Sequence, residues 1–269
     1  MNQYRDTPLE LNDADLALGL RPLTARSLIA SVLLGTHPPR LPVRVLVAAA
    51  SLFGISEGSA RTALSRMLAA GELERVDEWY GLGPDLVARQ NAQDTGRAAT
   101  RSEWTGDWHQ LVVTSERRSA SDRATTRSLL LGAHLAELRD GIWIRPANTA
   151  IGHLVEQLPG DDWLTATTRF TTTPDCAALW PIADLAHVAS GLDAIVAELA
   201  PRLAADDRSL LARGFVVAAA ALRFFRSDPL LPHELLPADW AGDRLRQNYV
   251  AFDTAYRKIL RNFFAEANG

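Results

Sequence analysis

The stretch GISEGSARTALSRMLAAG at residues 54–71, followed by ELERVDEWYGLG at residues 72–83, decides how the N-terminal part of the chain folds. Gly54-Ile55-Ser56-Glu57 reads as a short turn ending in a capping serine, and the spacing predicts a helix from Glu57 to Ala70 that Gly71 terminates. Ala60, Leu64, Met67 and Leu68 recur at three- and four-residue intervals and form its core face. Upstream, Thr24 caps a predicted helix to Leu34, in which Ala25, Leu28, Ile29 and Val32 share a face before Gly35 stops it. After the loop His37-Pro38-Pro39-Arg40, Pro42 is expected to open a second helix that continues from Val43 to Phe53. Downstream, Glu72 to Val76 and Trp79 to Leu82 read as a hairpin closed by Asp77-Glu78. Three short helices with a tight turn before the third, then a hairpin, is the order of a winged helix-turn-helix. The competing reading is a small helical bundle with a stray hairpin.

The face of the third helix opposite Leu64 carries Ser59, Thr62 and Arg66, with Gly58, Ser65 and Ala69 beside them and Arg61 on the flank. A solvated helix more often carries Glu–Lys pairs at four-residue spacing, whereas this surface is small, hydroxylic and cationic. Small residues allow close approach to a duplex, hydroxyls bond phosphates or base edges, and an arginine can bridge the O6 and N7 acceptors of guanine. The alternative is a merely polar face. The charge distribution favours the first reading: the whole chain is at −4, yet residues 21–75 hold seven arginines against three glutamates. Ser59, Thr62, Ser65 and Arg66 are therefore expected to face bases, and Arg26, Arg44, Arg61 and Arg75 to hold phosphates, with Tyr80 on the hairpin completing the DNA-binding set.

The rest of the chain changes character by region. Pro84 to Ala99 reads as a polar connecting helix. Beyond it, strand-like Trp108–Thr114, helical Ser121–His134, strand-like Ala136–Ile144 broken at Gly141, helical Ala147–Gln157 and strand-like Trp163–Thr171 alternate as in a small ferredoxin-like α/β sandwich. From Ile182 onward the pattern is helical, near 182–203, 207–226 and 242–266. The expected organisation is α+β: an N-terminal extension (1–20), a winged helix-turn-helix (21–83), a connecting helix (84–103), a central ferredoxin-like domain (104–178) and a helical C-terminal domain (179–269).

Several separated blocks resemble the phenylacetic-acid degradation repressors, the PaaX-like regulators. They are Ala25 to Ile29 with Leu41-Pro42-Val43, Phe53 to Glu57 continuing through Arg61 to Arg66 and Gly71-Glu72-Leu73, Trp104 to Trp108, Gly141 to Pro146, Phe224 to Pro232 and Glu234 to Trp240. They stand in the family's order over about residues 24 to 242. The resemblance implies a homodimeric repressor of a catabolic operon that binds a double-stranded operator with an inverted repeat. It also implies a central domain similar to CRISPR-associated spacer-acquisition nucleases, and release from DNA by a small-molecule effector, phenylacetyl-CoA or another acyl-CoA thioester.

Other chemistries find less support. A metal-dependent nuclease should close its first central strand on an aspartate, but Val112-Val113 lead to Thr114-Ser115-Glu116-Arg117-Arg118. The six histidines show no metal-ligand spacing, there is no Gly-x-Ser-x-Gly elbow, and Gly81-Leu82-Gly83 is too short for a dinucleotide loop. The acidic pairs Asp161-Asp162 and Asp206-Asp207 suit helix starts. No enzymatic activity and no cofactor are therefore expected, with a nuclease or a non-DNA-binding interaction module as the alternatives. Single Cys176, the absence of a span of about 20 apolar residues and an N-terminus without the basic-then-apolar order of a secretory signal point to a cytoplasmic protein away from membranes. Candidate effector contacts are Arg117 and Arg118 for phosphates, and Trp143, Arg145 and Trp163 around an apolar pocket; packing is the competing role for the tryptophans.

Overall fold

In a computed structural model, residues 9–98, 101–114, 119–158 and 163–268 are described. The fold is mixed α+β. Eleven helices occur among these residues: α1 (Asp13–Ala17), α2 (Ala25–Leu34), α3 (Val43–Ser51), α4 (Glu57–Ala69), α5 (Pro84–Ala98), α6 (Ala120–Gly132), α7 (Gly152–Gln157), α8 (Cys176–Leu179), α9 (Ile182–Ala204), α10 (Leu211–Ser227) and α11 (Gly242–Asn268). Seven strands accompany them: β1 (Arg40–Pro42), β2 (Leu73–Val76), β3 (Trp79–Leu82), β4 (Trp108–Val113), β5 (Ala136–Arg139), β6 (Ile142–Pro146) and β7 (Trp163–Thr168). None of the described helices is long and apolar enough to cross a membrane.

The chain divides into two compact units, each built from non-contiguous stretches: residues 1–98, 187–226 and 241–269 in the first, 99–186 and 227–240 in the second. This differs from the expected partition in three places. The described part of the N-terminal extension packs onto the first unit: Leu20 is fully buried, and both guanidinium Nη atoms of Arg213 donate to the Asp15 carboxylate at 2.8 and 2.6 Å. The connecting helix α5 belongs there too, because buried Gln90 donates to the carbonyls of Leu34 and Thr36 at the end of α2. Residues 227–240, expected among the C-terminal helices, belong to the second unit. There the fully buried Asp228 pairs with Arg101, and the Asn148 amide donates to the Leu230 carbonyl. A carboxylate this deep requires such a partner.

In the first unit, α2 to α4 pack through Leu28, Ile29, Val45, Leu46, Ala60, Leu64 and Met67, all buried. Thr24 and Ser56 cap α2 and α4 as their sequence position predicts, each accepting from the backbone N–H three residues on. A sheet of order β1-β3-β2 closes this end, with Leu41 opposite Tyr80 and Arg75 opposite Tyr80 on the other side. The strand β1 is a correction to the expected loop: Arg40 to Pro42 pair antiparallel with β3, and Pro42 then caps α3 instead of occupying its first turn. An edge strand tolerates a proline, which has no N–H to offer a ladder. The helix α3 also ends two residues earlier than expected, where Gly54 takes a left-handed φ of +67°.

In the second unit a sheet of order β5-β6-β4-β7, wholly antiparallel, is connected in the sequence β4-α6-β5-β6-α7-β7. The segment expected as one strand broken at Gly141 is a hairpin, since Gly141 at φ +73° turns the chain. Its two faces hold separate cores. Trp108, Ile144, Cys176, Trp180 and Leu231 lie on one side; Leu111, Leu130, Leu135, Trp143 and Leu158 lie on the other. The helix α7 begins at Gly152, five residues later than the pattern suggested.

Candidate nucleic-acid interface

The third helix of the predicted motif, α4, buries Ala60, Leu64 and Met67 and turns Ser59, Arg61, Thr62, Ser65 and Arg66 outward, all exposed. Its small residues leave an open groove between the N-terminal ends of α2 and α4. Thr24, Arg26, Ser59, Thr62, Ala63 and Arg66 line it. Four of the residues expected at DNA are thus brought to one concave surface, Arg26 from one helix and Ser59, Thr62 and Arg66 from the other. Ser65 lies on the same helix and Arg44 on the exposed first turn of α3.

Hydrogen bonds within the groove set what each group can offer. The Ser56 hydroxyl donates to the Ser59 hydroxyl at 2.9 Å, which leaves Ser59 its own proton to donate. The Thr62 hydroxyl donates to the Gly58 carbonyl at 2.8 Å, so it faces outward as an acceptor, suited to an amino group on adenine or cytosine. No hydrogen bond or ion pair holds the Arg66 guanidinium among the described residues. Arg26 is held in a two-pronged pair with Glu72, at 2.9 and 2.5 Å. The paired guanidinium holds the Glu72 carboxyl below its usual range, chiefly through the hydrogen bond. Arg61 bonds Glu57 at 2.7 Å, one turn before it. Glu57 lies four residues from Arg61, whereas Glu72 lies 46 residues from Arg26.

The hairpin departs from expectation. Tyr80 is buried at 9 % exposure and cannot present its ring to a duplex; alternation along β3 turns Trp79 outward instead, at 46 %. The Arg75 guanidinium lies 5.7 Å above the Tyr80 ring, and its Nε donates to the Asp77 carbonyl. The remaining charges at the turn, Glu74, Asp77 and Glu78, are acidic and exposed. Such a turn repels phosphate.

Residues 24–82 match the PaaX-like protein family, and residues 183–266 match the PaaX-like protein C-terminal domain. The chain belongs to the PaaX-like protein family. The groove beside α4 therefore lies wholly inside the N-terminal PaaX-like stretch. The solved structure of the uncharacterized protein Rv0674 from Mycobacterium tuberculosis is 37 % identical to this PaaX-like chain, covers 89 % of it and 98 % of its own length, and superposes with a TM-score of 0.62. No curated protein matches the chain significantly.

The other expected contacts lie elsewhere. In the second unit of this PaaX-like chain, Trp143 is 4 % exposed in the packed core beneath α6, with Trp163 against the same cluster. Arg145, next on that face of β6, is buried and donates to the Ala133 carbonyl at 2.6 Å and toward that of Pro229 at 3.4 Å. Burial pushes its guanidinium down to about 10. Trp143 and Trp163 thus share one packed cluster, and Trp143 also lines an open pocket with Arg127, Leu135, Glu137 and Trp180, a pocket that neither Arg145 nor Trp163 lines. Arg117, Arg118 and the pair Asp161-Asp162 lie outside the described residues. Among the described residues no group of three His, Cys, Asp or Glu side chains could hold a metal.

Proposed function

We propose that this PaaX-like chain is a DNA-binding transcriptional regulator in which α2 to α4 with β1 to β3 act as a winged helix-turn-helix. One observation carries the reading: α4 presents an exposed, small, hydroxylic and cationic surface that continues into the Arg26 groove. Such a surface fits a major groove, where the first helix crosses the backbone and the second reads base edges. In this reading Ser59, Thr62, Ser65 and Arg66 contact bases, and Arg26, Arg44 and Arg61 contact phosphates. The acidic turn leaves the hairpin, with Arg75, a minor part. The strand order of the second unit supports a ferredoxin-like role for it.

A homodimer would place two copies of α4 in successive major grooves of an inverted repeat, with half-sites about one helical turn apart. Family membership supports repression of a catabolic operon and release by an aryl-acyl-CoA thioester. Fluorescence-anisotropy titration with duplex from upstream of the gene tests this. Binding should reach the range of about 10 nM or tighter at physiological salt, and phenylacetyl-CoA should reverse it. Affinity no greater than for an unrelated duplex would overturn the reading.

A further inference from the structure

A run of arginines leads away from the groove beside α4. Arg21 stands three residues before Thr24, the cap of α2 that lines the groove, so the chain holds the two within about 11 Å of each other. From there the run continues alongside α2. Arg223 of α10 donates to the Gly19 carbonyl, two residues from Arg21, and lies with Arg89 of α5 beside Ser31, Val32 and Leu34 of α2. Arg226, one turn beyond Arg223, sits where α10 meets α5: a Cβ added at Gly96 of α5 would lie 3.4 Å from the Arg226 Cα. All four arginines belong to the first unit, the one that carries α4.

Neighbouring carboxylates do not balance these charges. Arg21, Arg89 and Arg226 are exposed, and none of the three has a hydrogen bond or ion pair among the described residues. Asp15 is engaged by Arg213, Asp94 by His37, and Asp253 by Arg97 and Arg257. Asp85, one turn before Arg89 on α5, forms no ion pair with it. The arginines also feel one another. Partial burial, then the charge of Arg226, holds Arg89 below its usual range; burial, then Arg21, Arg89 and Arg226, does the same to Arg223. The whole chain holds 32 acidic residues against 28 lysines and arginines, so this concentration of one sign is a local feature and not a consequence of net charge.

Exposed guanidinium groups spread along a helix, instead of converging on one point, suit a polyanion with regularly spaced charges. A duplex carries one charge per about 1.7 Å of its axis. The ten residues of α2 span about 15 Å, enough to follow the backbone for several phosphates beyond the major groove that α4 would enter.

We propose that Arg21, Arg89 and Arg226 form a second phosphate-contacting surface, which holds the operator backbone that flanks the base pairs read by α4. The helices α5 and α10 thereby join the DNA-binding face. This inference rests on the DNA-binding reading above and adds contacts outside the winged helix-turn-helix. Two measurements on the full chain with duplex from upstream of the gene test it: anisotropy titrations over a series of salt concentrations, and hydroxyl-radical footprints. The triple variant Arg21→Gln, Arg89→Gln, Arg226→Gln should lower the slope of log K against log salt by about 0.9 for each arginine removed, and weaken binding about fivefold per lost contact at about 0.15 M salt. Its footprint should lose the outermost protected sugars and keep the central ones. The corresponding triple lysine variant should keep both slope and footprint, because a phosphate accepts either cation. Thermal melts check that each variant folds; Arg21→Gln alone, at an exposed position outside the helices, should still lower the slope by about one. A folded glutamine variant with the wild-type slope and footprint overturns the proposal, and so does a lysine variant that loses as much as the glutamine one. Absence of specific duplex binding by the wild type overturns the DNA-binding reading itself, and this extension with it.

Discussion

Arg66 and Arg26 sit on one groove with opposite histories. Arg66 keeps its guanidinium free of partners among the described residues, while Arg26 is already committed to Glu72. If Arg66 reads a guanine, Arg66→Ala should cost about 1 to 3 kcal/mol of operator binding and relax specificity at one base position. Competition titrations with single-base operator variants measure both; a loss equal for every variant would reassign Arg66 to a phosphate. Glu72→Gln should instead release Arg26 to phosphate and steepen the salt dependence of binding by about one counterion. An unchanged slope would show that Arg26 stays away from the backbone of the duplex. The outward set on α4 was legible from spacing because helical periodicity alone decides which side chains oppose Leu64. The state of Arg26 was not, since Glu72, 46 residues further along the chain, reaches it only through the fold.

At the scale of elements, the hairpin β2–β3 depends on the way its end meets the end of α4. A Cβ added at Gly83 would fall 2.2 Å from the Gly71 carbonyl oxygen and 3.0 Å from that of Glu72, both backbone atoms that cannot swing aside. The Gly83 N–H also donates to the Glu72 carbonyl at 2.8 Å. Gly83→Ala should therefore destabilise the chain by about 1 to 3 kcal/mol, measured by urea denaturation. A stability unchanged within error would mean that this crossing gives way easily. Helices α2 and α4 were readable because caps, glycine stops and apolar periodicity act within a few residues. The three-residue β1 escaped notice: it lies between prolines and exists only because β3 supplies its hydrogen bonds.

For the molecule as a whole, the first unit is closed by its N-terminal residues. Asp15 and Arg213 are 198 residues apart in the chain and meet with two hydrogen bonds. Those bonds hold the Asp15 carboxyl below its usual 3.8. Because the folded value is depressed, the stabilisation is present above the unfolded value and is lost as pH falls through the folded one. Asp15→Asn should cost about 1.5 to 3 kcal/mol at neutral pH, and the difference from wild type should shrink in acid below pH 3.8. Denaturation midpoints for both proteins across that range check it; a constant gap would mean that the charge of Asp15 contributes nothing.

By itself the sequence determined the α+β class, the places of the long helices, the exposed hydroxyl and arginine face of α4 and membership of the PaaX-like family. Each of these follows from residues close together in the chain or from blocks that keep their order. Only the tertiary structure decided that Asp15, Leu20 and α5 pack into the first unit, that residues 227–240 belong to the second, and that Tyr80 is buried. Those outcomes depend on burial and on charge pairs between distant segments, and separation along the chain gives no measure of either.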